Sequence, residues 1–158
     1  MTDDINRLST PTERVALVTG GSAGLGRELV RALAARGWTV LTDARRAERF
    51  AGLTAPGIVV IPGDLTDPEH REALRAEVER RGRLDLLVHN ASTLGPTPLP
   101  PLATVTVEDL QRVWRSNVGA PLVLTGALLP WLAAGGVLVS ISSDAAVEHF
   151  EGWGLYGA

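Results

Sequence analysis

Short apolar runs alternate with amphipathic stretches along this chain. Val15-Ala-Leu-Val-Thr19 is an apolar run bounded by polar residues and glycines, the pattern of a strand buried on both faces. From Leu25 to Arg36 the positions Leu25, Leu29 and Leu33 fall at helical spacing, and Gly37 supplies a stop. Trp38 to Thr42 predicts a second strand, and Gly57 to Ile61 a third. Asp67-Pro68 reads as an N-cap followed by a first-turn proline, opening a charged helix that ends near Gly82. Leu84 to His89 predicts strand four. Thr93 to Thr104 holds four of the ten prolines and reads as a loop. Thr106-Val-Glu-Asp109 caps a long helix carrying Leu110, Val113, Trp114, Asn117 and Val118. Gly136 to Ile141 predicts strand five.

Strands alternating with helices imply a parallel sheet covered on both faces. Right-handed crossovers leave few arrangements, and the natural one is a Rossmann-type doubly wound α/β sheet of order 3-2-1-4-5. The 158 residues divide into a polar tail, 1–13, and one domain, 14–158. No internal repeat or low-complexity segment interrupts it.

Composition narrows the function. A formal charge of -3 offers no general attraction to nucleic acid or anionic membranes. With no cysteine, disulfides and thiolate metal sites are excluded. His70, His89 and His149 are scattered without metal-ligand spacing, so no metal is expected. The acidic, polar start lacks a signal-peptide pattern, and no apolar run reaches spanning length, so a soluble cytoplasmic protein is the expectation. All fifteen basic residues are arginine.

Between strand one and helix one stands Thr19-Gly20-Gly21-Ser22-Ala23-Gly24-Leu25-Gly26. Glycines let a backbone turn tightly and approach a pyrophosphate, whose charge then lies at the positive end of a helix. The spacing Gly-x-x-x-Gly-x-Gly differs from the common G-x-G-x-x-G. A glycine-rich turn without a ligand is the alternative reading.

This loop resembles the cofactor loop of the short-chain dehydrogenase/reductase family, and four further positions agree in order and spacing. Asp64-Leu65 resembles the family's adenine-contacting pair. His89-Asn90-Ala91-Ser92 resembles its Asn-Asn-Ala-Gly. Asn117 matches its catalytic asparagine, and Ser143 and Tyr156, thirteen residues apart, match its catalytic serine and tyrosine. His89 and Ser92 depart from the pattern, and Ser92 puts a side chain where the family's backbone runs close to the cofactor. The family's catalytic lysine lies four residues after the tyrosine, a position past Ala158. Its sheet also continues beyond strand five, so the sheet read here is incomplete at that edge. The apolar strand 137–141 is then an open edge prone to aggregation, and the full-length protein is expected to be a homo-oligomer.

The resemblance implies a nicotinamide cofactor bound by Thr19, Gly20, Ser22, Gly24, Leu25, Gly26, Asp64, Leu65, Asn90 and Ala91. The end of strand two reads Thr42-Asp43-Ala44-Arg45-Arg46. An acid there would favour NAD, and Asp43 is a candidate by distance from the loop. In the family's register the acid position falls on Ala44 and is followed by Arg45, which can grip a 2′-phosphate. NADP is therefore expected, with Arg45 and Arg46 as its partners and NAD as the alternative. The resemblance makes Tyr156 the proton donor to a small carbonyl or alcohol substrate, and Ser143 the group that orients it.

Asn117 admits a separate argument. Pro121, four residues on, has no N–H to bond the Asn117 carbonyl in a continuous helix. That carbonyl is left to find water or another donor; the resemblance implies a water held there in the site, and a plain proline kink with the carbonyl wetted at the surface is the alternative. No Gly-x-Ser-x-Gly elbow supports a hydrolase. The expectation is an NADP-dependent oxidoreductase, inactive as the isolated 158 residues. The alternatives are a nucleotide-binding module without catalysis, a truncated remnant, or a structural protein keeping only the fold.

Overall fold

The computed structural model describes residues 13–46, 52–53 and 55–157. Of the proposed tail, residues 1–12 lie outside the described residues. Five parallel strands form one sheet in the order β3-β2-β1-β4-β5, as the alternation requires. They are β1 (Val15–Val18), β2 (Thr39–Ala44), β3 (Ile58–Pro62), β4 (Leu84–His89) and β5 (Leu132–Ser140). The helices are α1 (Gly24–Ala34), α2 (Pro68–Arg81), α3 (Val107–Trp114), α4 (Ala120–Leu128) and the short α5 (Gly154–Gly157).

Strand β1 lies at the centre, and all four of its residues are buried. Because side chains alternate along a strand, its two pairs feed two cores. Val15 and Leu17 pack with Leu74 and Val78 of α2 and Leu124 and Leu128 of α4. Ala16 and Val18 pack on the other face with Val30 of α1, Val40 and Val88. The continuous apolar runs are thus the mark of strands covered twice.

Helix α2 follows its sequence closely. The Asp67 carboxylate accepts from the Glu69 N–H, Pro68 fills the first turn, and Gly82 ends the helix at φ 70°. Helix α1 ends at Ala34, two residues before the predicted end at Arg36. Strand β5 begins at Leu132, earlier than the predicted Gly136, because β4 pairs with it across an irregularity between Leu84 and Leu86.

The long helix expected after Thr106 is not one α-helix. Arg115–Gly119 forms a π-turn between α3 and α4, in which the Ala120 N–H reaches the Arg115 carbonyl five residues back. Pro121 supplies no N–H just beyond. The break located by the sequence is therefore a widened turn, with Asn117 at its middle, rather than a simple kink.

Candidate functional site

All five strands point their carboxyl ends to one edge of the sheet, where a cavity of about 470 Å³ opens. Gly20, Ser22 and Ala23 of the glycine loop form one wall. Asp43 to Arg46 form the second, Gly63 to Thr66 the third, and Asn90 to Thr93 with Ser116 the fourth. The volume falls in the usual range for small-molecule sites.

Two side chains join the glycine loop to the end of β4. Thr19 is fully buried, and its Oγ1 accepts from the N–H groups of Asn90 and Ala91, both at 3.1 Å. In return, Asn90 Nδ2 donates to the carbonyls of Thr19 (2.9 Å) and Gly20 (3.2 Å). The loop can close this tightly only with glycine. A Cβ on Gly26 would run into Asn90 Nδ2 and the Gly20 carbonyl, and one on Gly20 would lie 2.9 Å from Ala91 Cα.

Gly24 is different. It has φ +52°, and a Cβ there would meet no protein atom within 4 Å. It begins α1, whose N-cap position, Ala23, supplies no side-chain hydrogen bond, and whose first turn carries no acid. The positive end of α1 is thus left without a protein cap at the cavity wall, which is the arrangement that suits an anion. The residues present fit a dinucleotide phosphate.

Asp43 lines the cavity, but its carboxylate is engaged within the protein. It is 2% exposed. Its Oδ1 accepts from the Gly20 N–H at 2.7 Å, and its Oδ2 lies 3.1 Å from His70 Nε2. Its own carbonyl accepts from the Gly21 N–H at 3.1 Å. Arg45 and Arg46 lie on the cavity wall, and both are exposed. Asp64 accepts from the Thr66 N–H and hydroxyl at 2.9 and 2.7 Å. Burial pushes the Asp64 carboxyl up. The Thr66 bonds, with Arg45 and His70 nearby, outweigh it and hold the group below the usual carboxylate range.

Of the expected cofactor contacts, Gly20, Ser22, Arg45, Arg46, Asp64, Leu65, Asn90 and Ala91 line the cavity. Thr19 and Gly26 act inside the protein, as stitching between loops. Leu25 is 60% exposed on the first turn of α1.

Asn117, Ser143 and Tyr156 do not line this cavity. Asn117 holds its wall instead: Oδ1 accepts from the Thr93 N–H at 2.9 Å, and Nδ2 donates to the Thr93 carbonyl at 3.0 Å. The Ser143 hydroxyl donates to Asp144 Oδ1 (2.9 Å) and accepts from the Ala145 N–H (3.2 Å). Tyr156 packs edge-on against Trp153, with ring centroids 5.8 Å apart. The Ser143 turn and α5 meet so closely that a Cβ on Gly157 would strike the Ala145 carbonyl oxygen. Leu155 is buried and reaches the Gly95 position, two residues from the Thr93 that Asn117 holds. The three residues therefore belong to segments gathered around the 93–95 loop.

His89 stands at the end of β4 with Nε2 2.7 Å from Thr125 Oγ1. Its Nδ1 is buried and finds no partner among the described residues. Burial lowers its pKa below the ordinary histidine value. Sequence reasoning missed Ser116 and Thr93 on the wall, and the pairing of Asp43 with His70, because none of these shares a local motif.

The fold and the cavity define a doubly wound α/β protein that carries its site at the carboxyl edge of the sheet. The chain belongs to the short-chain dehydrogenase family, whose model matches residues 14–158. It is 35% identical over 147 residues to a serine 3-dehydrogenase of Agrobacterium fabrum, covering 89% of this chain and 58% of that protein. An uncharacterized oxidoreductase of Mycobacterium tuberculosis is 39% identical over 149 residues, covering 92% and 57%. A short chain dehydrogenase from Burkholderia cenocepacia, solved in complex with NADP, is 33% identical with a TM-score of 0.82, covering 92% of this chain and 62% of that one. The chain thus spans less than two thirds of these proteins. No helix among the described residues is long and apolar enough to cross a membrane.

Proposed function

We propose that this chain carries the nucleotide-binding part of an NADP-dependent oxidoreductase acting on a small carbonyl or secondary alcohol. The observation that carries the reading is the uncapped N-terminus of α1 beside a cavity where the Asp43 carboxylate is bonded to Gly20 and His70 while Arg45 and Arg46 on the wall are exposed. An arginine beside the ribose position favours a 2′-phosphate. The similar chain solved with NADP supports the same choice.

The nicotinamide cofactor, when bound, would supply the hydride. The chain's residues bind and orient. The first turn of α1 would hold the pyrophosphate, Arg45 and Arg46 the 2′-phosphate, and Asp64 and Leu65 would frame the adenine. Asn117 fixes the wall through Thr93. Ser143 orients the substrate oxygen, and Tyr156 gives it a proton. A tyrosine of ordinary pKa, about 10, needs a nearby cation to act as acid and base near neutrality. Residues 1–158 contain no lysine, and no arginine lies between Ser143 and Ala158. These residues alone are therefore expected to bind cofactor without turnover, which is also what keeps the non-catalytic module as a second reading.

The test is fluorescence titration with NADPH and NADH, then NADPH oxidation over a panel of ketones. The oxidation assay compares residues 1–158 with a chain extended by a family C-terminal segment. Binding without turnover by the short chain is expected, with turnover in the extended chain that Tyr156→Phe abolishes. Failure to bind either dinucleotide overturns the reading.

A further inference from the structure

We propose that His70 is a positioning residue for the glycine loop, acting through Asp43 on the peptide N–H of Gly20. The inference rests on the reading of the cavity as a nucleotide site, but its geometry stands without a ligand.

The relay joins three distant points of the chain. His70 lies in the first turn of α2, Asp43 near the end of β2, and Gly20 just after β1. His70 and Asp43 side chains are 5% and 3% exposed. A carboxylate so deeply buried needs a donor on each oxygen. Oδ1 has the Gly20 N–H at 2.7 Å, and Oδ2 has His70 Nε2 at 3.1 Å. Facing a carboxylate, Nε2 must carry the hydrogen of that bond. The imidazole packs over Gly63 and fills the place a Cβ there would take, so a larger residue at 63 would displace the ring. Gly63 is thus glycine on account of His70.

Gly20 is where this matters. It has φ 70°, and its two polar groups are held from opposite sides. Asp43 takes the N–H, and Asn90 Nδ2 bonds the carbonyl at 3.2 Å. The next N–H, on Gly21, goes to the Asp43 carbonyl. Asp43 therefore directs both leading N–H groups of the loop inward, ahead of Ser22 and Ala23 on the cavity wall. Without His70, Oδ2 is left buried without its donor. The carboxylate must then rotate or take up water or a proton, and each of these loosens its hold on Gly20.

Amide hydrogen exchange followed by NMR tests this on the chain without ligand. His70→Leu is expected to speed exchange at Gly20 and Gly21 by about tenfold, the weight of a charge-assisted bond. Val18 and Val88 should keep their rates. His70→Gln places an amide near the Nε2 position and should restore protection, whereas His70→Asn stops short of Asp43 and should behave like leucine. Should the leucine variant fail to fold, the glutamine and asparagine pair decides. NADPH titration is the second readout: Kd is expected to rise about tenfold in step with Gly20 exchange and to recover in His70→Gln. Unchanged exchange at Gly20, a uniform rise across the sheet, or an unchanged Kd in a variant with fast Gly20 exchange overturns the proposal. If the wild-type chain binds neither NADPH nor NADH, the nucleotide reading falls and the exchange pattern alone decides the role of His70.

Discussion

Helices α1 and α2 both begin at the carboxyl edge of the same sheet, and they begin in opposite ways. Asp67 closes α2: its carboxylate accepts from Glu69, and Glu69 adds an acid to the first turn. Helix α3 is closed as well, by a capping box between Thr106 and Asp109. Helix α1 has alanine at the cap, glycine at its first and third positions, and no acid in its first turn. An N-cap side chain is worth about 1 kcal/mol, so α1 forgoes a stabilisation that its neighbours take. What it keeps is a set of N–H groups and a positive helix end on the cavity wall. The contrast distinguishes a helix end built for stability from one left open for an anion.

The sharpest way to break the contrast is to close α1. Ala23 sits at φ -152° and ψ 166°, the extended conformation of a cap residue. Ala23→Asp is expected to raise the free energy of unfolding by about 0.5–1 kcal/mol in urea melts. The same charge then stands where a pyrophosphate would bind. NADPH and NADH affinity should both fall by several kcal/mol, on the order of a hundredfold or more in Kd. A variant that is more stable and still binds would show that the open helix end holds no phosphate.

Arg45→Ala separates the 2′-phosphate from the rest of the nucleotide. NADPH binding should weaken by about 1–3 kcal/mol, with NADH nearly unchanged, in paired titrations. Equal losses would place Arg45 outside the 2′-phosphate site.

The reverse change weakens a closed helix. Asp67→Ala should lower stability by about 1 kcal/mol and leave Kd for NADPH as it was. Thr106→Ala should do the same at α3. Both are read from urea midpoints beside a titration.

The capped helices were legible in the sequence because a cap is local. Asp67-Pro68 and Thr106-x-x-Asp109 carry their own donors and acceptors within one turn. The strand order was legible for a related reason, since buried parallel strands read as apolar runs and crossover handedness leaves little choice. The glycine loop was legible as a motif, but the work of each glycine was not. Gly20 and Gly26 are required by Asn90 and Ala91, about seventy residues away, whereas Gly24 meets nothing in the protein. The direction of Asp43 was equally hidden. Strand periodicity says which face a side chain takes, but His70 on another element decides whether a carboxylate at a strand end faces solvent or the interior. Pro121 marked the break after Asn117, yet a missing donor does not specify how the helix rewinds, and the π-turn had to be seen.

An unsatisfied group also lies at the end of β4, and it is buried. His89 Nδ1 has no partner among the described residues, and burial lowers the histidine's pKa. The folded state then takes up a proton less readily than the unfolded chain, whose histidine titrates near 6.5. Stability from the neutral ring is fully present above the unfolded value and is lost as pH falls from there through the lower folded value. Unfolding free energy measured by urea at steps from about pH 7 to about pH 5 should therefore decline as the pH falls. His89→Gln removes the titrating ring while keeping an amide near the Nε2 position that meets Thr125, and should flatten that part of the curve. This is the smallest of the expected effects, because it rests on a single imidazole ring. An equal decline in the glutamine variant would assign the slope to other groups and leave His89 as a packed, untitrated side chain.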